Sequence, residues 1–225
     1  MIVIKRGKEP NSLLKFRKEN PDADYETDMP TDVLKDIREQ MWEEQRCLCA
    51  YCMKKIEAPS VVRIEHCRPR HPQDEQEHDK KATLDFKWML GVCYGNSLVR
   101  GVKPEDKTCD AHRGNTELTV NPFDEMSVRK IKYKADGSIY SEDAEINKDV
   151  TETLNLNCQA LSLPQTRKNV LMAEKNRIMR KCKGKSQDAF MREVERTYTS
   201  LVKERNLTPY CGIIISWLES KLNIS

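Results

Sequence analysis

Cys49 and Cys52 stand in the run Cys49-Ala50-Tyr51-Cys52. Two thiolates at that spacing on a tight turn can aim both sulfurs at one ion, which is half of a tetrahedral zinc site. Thiol exchange is the competing use of such a pair, but a redox pair follows a strand and opens a helix, and here helical periodicity comes first. The other half of a zinc site must lie downstream. Cys93 and Cys109 are the best pair, because the loop between them contains Gly95, Gly101 and Pro104 and can bulge while both thiolates converge. Cys47 is the rival ligand, while Cys67, Cys158, Cys182 and Cys211 are assigned to packing or surface. Between the two pairs lies Ile64-Glu65-His66-Cys67-Arg68-Pro69, an acid–imidazole pair at the end of a β-branched stretch. Successive strand residues face opposite ways, so Glu65 and His66 share one site only if the strand bends at its end. A solvated histidine in a polar loop is the plainer reading of an isolated His.

The rest of the composition bounds what surrounds these residues. In 225 residues the chain carries 33% charged and 6% aromatic side chains and a net charge of only +3. A basic surface must therefore come from local clustering. No apolar run approaches the ~18 residues of a membrane span. The opening MIVIKRGKEP is too short in apolar residues for a signal peptide, so the expected location is cytoplasmic, with no membrane partner. Nine cysteines in a reducing compartment favour metal ligation by a subset over a disulfide framework.

The elements that must position the site follow from periodicity. Met1–Ile4 is a plausible short strand. Thr31 or Asp32 can cap a helix running to about Arg46, with Val33, Leu34, Ile37 and Met41 on one face and Trp42 flanking it. Val61–Glu65 is strand-like, and Arg68–Lys81 is polar enough to be an exposed loop. Arg129–Tyr140 has the pattern of a hairpin turning at Asp136-Gly137. Helical segments are expected at Asp149–Leu156, then, after a break near Pro164, at Gln165–Cys182 and Gln187–Glu204. A last helix follows Thr208-Pro209.

Taken in order, C-x-Y-C, I-E-H-x-x-P, D-[aromatic]-x-x-[ML]-x-x-x-C and C-D-x-x-[KR]-G-N resemble the HNH nucleases. More narrowly, the chain resembles the PtuB-type HNH proteins of Septu and retron-associated anti-phage systems. Supporting residues are Ile-x-Ile-x-Arg-Gly-x-x-Pro at Ile2–Pro10, Asn121-Pro122, and Thr153-Leu-Asn-Leu-Asn157 followed by Arg167, so the resemblance spans residues 2 to about 170. It implies an α+β, mainly helical fold in which a zinc-stabilised ββα-metal (HNH) core is flanked by helices. Residues 1–125 would form the nuclease region, and residues 126–225 a β-hairpin plus helical region for partner docking.

The resemblance also implies roles. Cys49, Cys52, Cys93 and Cys109 would hold a structural zinc. His66 would be the general base, suited to that by its near-neutral pKa. Glu65 would ligate a catalytic Mg²⁺ or similar hard divalent ion. Asp110 and His112 compete for the last HNH position and share that ion, with Asp110 favoured on spacing. Trp88 stands where the family's middle Asn braces the loop of the histidine, which leaves Asn96 or Asn115 as substitutes or the ring simply packed. Arg68, Arg70, Lys80, Lys81, Arg100, Lys103, Lys107 and Arg113 could grip a phosphate backbone, although Asp74, Glu75, Glu77 and Asp79 interleave with them. The Arg129–Lys134 stripe could likewise expose one basic face.

The expected activity is hydrolysis of phosphodiester bonds in DNA, or in RNA such as tRNA. The expected partners are a PtuA-type ATPase and, in retron systems, a reverse transcriptase with its RNA–DNA hybrid. The competing class is a zinc module that binds nucleic acid or protein without catalysis.

Overall fold

The computed structural model describes residues 1–70, 80–203 and 207–224. It is an α+β chain and mainly helical. In order it forms α1 (Asn11–Glu19), α2 (Thr31–Glu44), β1 (Arg63–His66), α3 (Lys80–Thr83), β2 (Met89–Val92) and α4 (Asp110–Arg113). Then come α5 (Glu125–Arg129), β3 (Ile131–Tyr133), β4 (Ile139–Ser141), α6 (Ala144–Lys148), α7 (Leu163–Lys181), α8 (Gln187–Lys203) and α9 (Gly212–Leu222). Two antiparallel hairpins carry the strands, with β1 on β2 and β3 on β4. Among the described residues no helix is long and apolar enough to cross a membrane.

The helix α2 forms for the expected reason. Val33, Ile37 and Met41 recur at helical spacing and are buried. Its start differs from expectation: Thr31 is already helical, and Pro30 takes the cap position with no side-chain cap. The end of α2 sets the first cysteine turn. The buried Gln45 amide donates to Leu48 O (2.9 Å) and Gly91 O (2.6 Å) and accepts from Gly91 N (2.7 Å). It thus acts as a stretch of backbone along the free edge of β2. Ala50 N joins the same carbonyl at 3.1 Å, and Trp42 Nε1 donates to Ile56 O at 2.8 Å.

Several local expectations are corrected. Met1–Ile4 forms no strand: Met1 and Ile4 are both buried, and Ile4 N bonds Pro122 O at 2.9 Å, with no ladder. Arg6 anchors this segment, stacking on Phe86 and Phe123 at 4.2 and 4.5 Å and pairing with Glu44 at 2.8 Å. The strand expected from Val61 begins at Arg63, because Pro59–Val61 forms a 3-10 turn. Of the Arg68–Lys81 loop, residues 71–79, and with them Asp74, Glu75, Glu77 and Asp79, lie outside the described residues, as does the side chain of Lys80. Asp149–Thr153 is a wide turn of π-helical geometry continuing α6 rather than an ordinary helix. Pro164 sits in the first turn of α7, where its missing N–H costs nothing, so it opens the helix. The last helix likewise starts later than Pro209, at Gly212.

One buried cluster runs from Met1 to Leu156 and includes Cys49, Cys52 and Cys109. A second joins α7 (Leu171, Ile178), α8 (Val194, Leu201) and α9 (Ile213, Ile214, Leu218). Arg167, buried at the junction, donates from Nε to Gly137 O (2.6 Å) and from Nη2 to Leu156 O (2.8 Å) and Asn157 Oδ1 (3.0 Å). Arg167→Met strands three acceptors together and is expected to lower stability by about 3 kcal/mol, measured by denaturant unfolding at unchanged m-value.

Candidate metal centre and acid–imidazole site

Three loops deliver four sulfurs to one point. The first holds Cys49 and Cys52, the second begins at Cys93 just past β2, and the third ends at Cys109 before α4. The sulfurs of Cys49, Cys52, Cys93 and Cys109 all lie within 4.8 Å of one another. Resolved separations are 3.8 Å for Cys49–Cys109, 3.7 Å for Cys52–Cys93 and 3.8 Å for Cys93–Cys109. Four sulfurs about 2.3 Å from a central ion at tetrahedral angles stand about 3.8 Å apart, so the cluster fits zinc. A disulfide would bring two of them to about 2.05 Å. Cys47, the rival, is buried but outside the group.

The backbone around the sulfurs is shaped for this. Lys54 N donates to Cys52 Sγ at 3.4 Å, and Gly95 N serves Cys93 in the same way two residues on. Such N–H···S bonds favour thiolate over thiol. The four groups also act on one another. Hydrogen bonds from Cys109, Cys49 and Cys52 hold Cys93 far below the usual thiol range, while Cys49 and its neighbours push Cys109 upward. The four sulfurs thus bias one another's ionisation, as closely gathered thiol groups must, and a divalent cation would complete the arrangement.

The third loop is clamped by the Thr153–Asn157 run, whose Leu154 and Leu156 belong to the buried core. Cys109 N bonds Leu154 O at 2.9 Å, Thr108 Oγ1 bonds Leu154 O at 2.9 Å, and Asn155 Nδ2 reaches Glu105 O and Lys107 O at 2.8 Å each. Asn96 Nδ2 closes the loop from within through Asp106 O at 3.1 Å. Gly95 has φ +53°, and a Cβ there would stand 2.0 Å from Thr108 O. Gly95→Ala should therefore force the second and third loops apart. A cost of about 2 kcal/mol or more is expected, read as a melting temperature lowered by roughly 4–8 °C and faster zinc loss to a chelator.

Beside this cluster, β1 presents Glu65 and His66, paired in register with Leu90 and Met89 of β2. Both are buried, at 7% and 4% exposure. Glu65 Oε1 accepts from Tyr51 OH at 3.2 Å and from Arg113 Nη1. Asp110 lies beside Glu65 and adds to the rise of its pKa, and Arg63 Nε pairs with Asp110 Oδ2 at 2.5 Å. Burial pushes the Glu65 carboxyl up to about 7; Arg113 opposes this and the Asp110 charge adds to it. Two carboxyl groups in contact inside a protein repel when ionised, and a hard cation relieves that repulsion.

The His66 ring points to the other side of the strand. Its Nε2 lies 2.8 Å from Thr83 O, its ring meets Tyr25 edge-on at 4.5 Å between centroids, and burial pushes its pKa down to about 4. A carbonyl only accepts, so Nε2 carries the hydrogen and Nδ1 keeps its lone pair. The Asp110 charge acts on both Glu65 and His66. His112 is turned away, with Nδ1 3.0 Å from Thr153 O.

Trp88 braces the region through its backbone, its carbonyl accepting from Cys67 N at 2.8 Å. Its ring carries Arg68 at 4.1 Å and Lys87 at 5.3 Å, while Asn115 is exposed. The expected basic surface is thinner than its composition. Arg113, with 1% of its side chain exposed, is internal, and Arg70 pairs with Glu26 at 2.5 Å. In the second stripe Arg129 pairs with Glu125 (2.7 Å) and Lys130 with Asp143 (2.8 Å).

Residues that sequence reasoning passed over are Tyr51, Arg63, Tyr25, Thr83 and the clamping role of Asn155. Only Asn155, within the Thr153–Asn157 run, and Tyr51, the tyrosine of C-x-Y-C, carried a signal. Compared with known proteins, the chain matches no family model and no curated protein.

Proposed function

We propose that this protein is a metal-dependent endonuclease of the HNH type, in which the four cysteines hold a structural zinc and Glu65, His66 and Asp110 cleave phosphodiester bonds. What supports this reading is that Asp110, the residue directly after the fourth cysteine, lies beside Glu65, and that its charge acts on both Glu65 and the following His66, although the imidazole leaves the opposite face of β1. In this reading β1, β2 and α4 form the ββα unit. Neutral His66, with Nε2 committed to Thr83, takes a proton from water at Nδ1 and so makes the attacking hydroxide. Glu65 and Asp110 hold a hard divalent ion; the chemistry such an ion supplies when bound is charge stabilisation of the scissile phosphate and its leaving oxygen. Arg68, held flat on Trp88, lies two residues beyond His66 and suits a flanking phosphate. The resemblance to PtuB-type proteins extends the proposal to an anti-phage effector working with a PtuA-type ATPase. In retron systems a reverse transcriptase and its RNA–DNA hybrid would join them, and α7–α9 would be the docking region.

The test is direct. Purified zinc-loaded protein with Mg²⁺ or Mn²⁺ should cut duplex DNA or total RNA, and intact substrates under every combination would refute the reading.

One observation favours a second reading, that of a non-catalytic zinc module. Glu65, His66 and Asp110 are largely buried and each already has a protein partner: Arg113, Thr83 and Arg63. In the nuclease reading Tyr25 and its neighbours must move aside for substrate. In the module reading these contacts are the purpose of the residues, and removing the imidazole changes no activity.

A further inference from the structure

We infer that Tyr51 and Arg113 are positioning residues for the Glu65 carboxylate, making the divalent-ion affinity of the site depend on the cysteine cluster. The inference rests on the reading of Glu65 as a metal ligand. Tyr51 lies inside the first cysteine turn, between Cys49 and Cys52, and is 1% exposed. Arg113 lies at the end of α4, one turn beyond Cys109. Both side chains therefore leave backbone that the sulfurs fix, and both end on Glu65 Oε1. The Tyr51 hydroxyl also accepts from Arg113 Nη1 at 3.3 Å, closing a three-membered network.

Arg113 does more than pair charges. It donates from Nη1 to His66 O (2.8 Å), from Nη2 to Cys67 O (2.8 Å) and from Nε to Thr116 O (2.7 Å). Its planar fork thus holds the end of β1 as well as its acidic side chain. Lysine has the same charge without that fork. With Oε1 taken by two donors, the carboxylate is fixed in rotation, which leaves its second oxygen to a ligand. A freely rotating glutamate would have to be ordered by the ion itself, which weakens binding.

The experiment uses the full zinc-loaded chain and Mn²⁺ as probe, with bound Mn²⁺ read by electron paramagnetic resonance. Tyr51→Phe, which keeps the ring and removes the hydrogen bonds to Glu65 and Arg113, should weaken Mn²⁺ about fivefold. Arg113→Lys should weaken it tenfold or more. Zinc content should stay at that of the wild type in both. Unchanged Mn²⁺ affinity in Tyr51→Phe and Arg113→Lys would overturn the inference, as would a wild type that binds no Mn²⁺. Should Arg113→Lys fail to fold, Tyr51→Phe decides alone. Weakened Mn²⁺ binding in variants of a wild type that cuts nothing would leave the inference standing and remove only the nuclease reading.

Discussion

Removing a zinc held by the four cysteines should unfold the region around them while leaving the C-terminal helices in place. Cys109→Ser, or a strong chelator acting on the wild type, takes one of four candidate ligands or the ion itself from a cluster in which Cys49, Cys52 and Cys109 are buried and Cys93 is half-buried. What remains at that point is a set of loops. Cys93–Asp106 and Cys109–Arg113 contribute short turns and bury no large apolar side chain, and metal binding energy there is folding energy. A loss of about 5 kcal/mol or more is expected from the scale of structural zinc sites, equivalent to a melting temperature roughly 10–20 °C lower. The α7–α9 cluster has its own buried residues, among them Leu171, Ile178, Val194 and Leu218. Far-ultraviolet circular dichroism should therefore keep most of its helical signal. Limited proteolysis should begin between Cys93 and Cys109. Unchanged thermal stability after complete zinc removal would show that the cluster contributes nothing to the fold.

The second large effect separates chemistry from architecture. His66→Ala is expected to lower cleavage by about 10²–10⁴-fold, the range for losing a general base. Zinc content and helical signal should match the wild type. The imidazole makes one hydrogen bond, to the Thr83 carbonyl, and one edge contact, to Tyr25. Its removal leaves a small cavity and takes one hydrogen bond from the Thr83 carbonyl, a cost of about 2 kcal/mol that a 225-residue chain can absorb. A large fall in rate at wild-type zinc content is therefore a catalytic signature. An equal rate would assign His66 to packing and favour the non-catalytic zinc module.

What could be read from the sequence follows the range of the interactions involved. Metal ligation uses few residue types at short spacings, so Cys49 and Cys52 announce themselves and narrow the search for Cys93 and Cys109. The hairpin at Asp136-Gly137 is equally local, since Gly137 takes φ +88° and Asp136 Oδ1 accepts from Ser138 N at 2.8 Å. The buried face of α2 is a periodic signal of the same kind. Long-range geometry leaves no such trace. Nothing near Tyr25 suggests that its ring meets His66, and nothing near Thr83 suggests that its carbonyl fixes the tautomer. Arg113 misleads in a different way. A cation among Arg100, Lys103 and Lys107 belongs to a surface by composition, yet five oxygen acceptors draw it inside. The N-terminal segment fails as a strand because strand propensity without a free partner edge gives no ladder.

End-group analysis of the cleavage products is the most direct measurement. If His66 activates water as proposed, cleavage leaves phosphomonoester and hydroxyl ends on DNA or RNA, in reactions that require a divalent ion and are lost in His66→Ala. The contradicting result is the absence of any cut strand, or RNA ends that are 2′,3′-cyclic phosphates, which would mean that the substrate's own hydroxyl attacked.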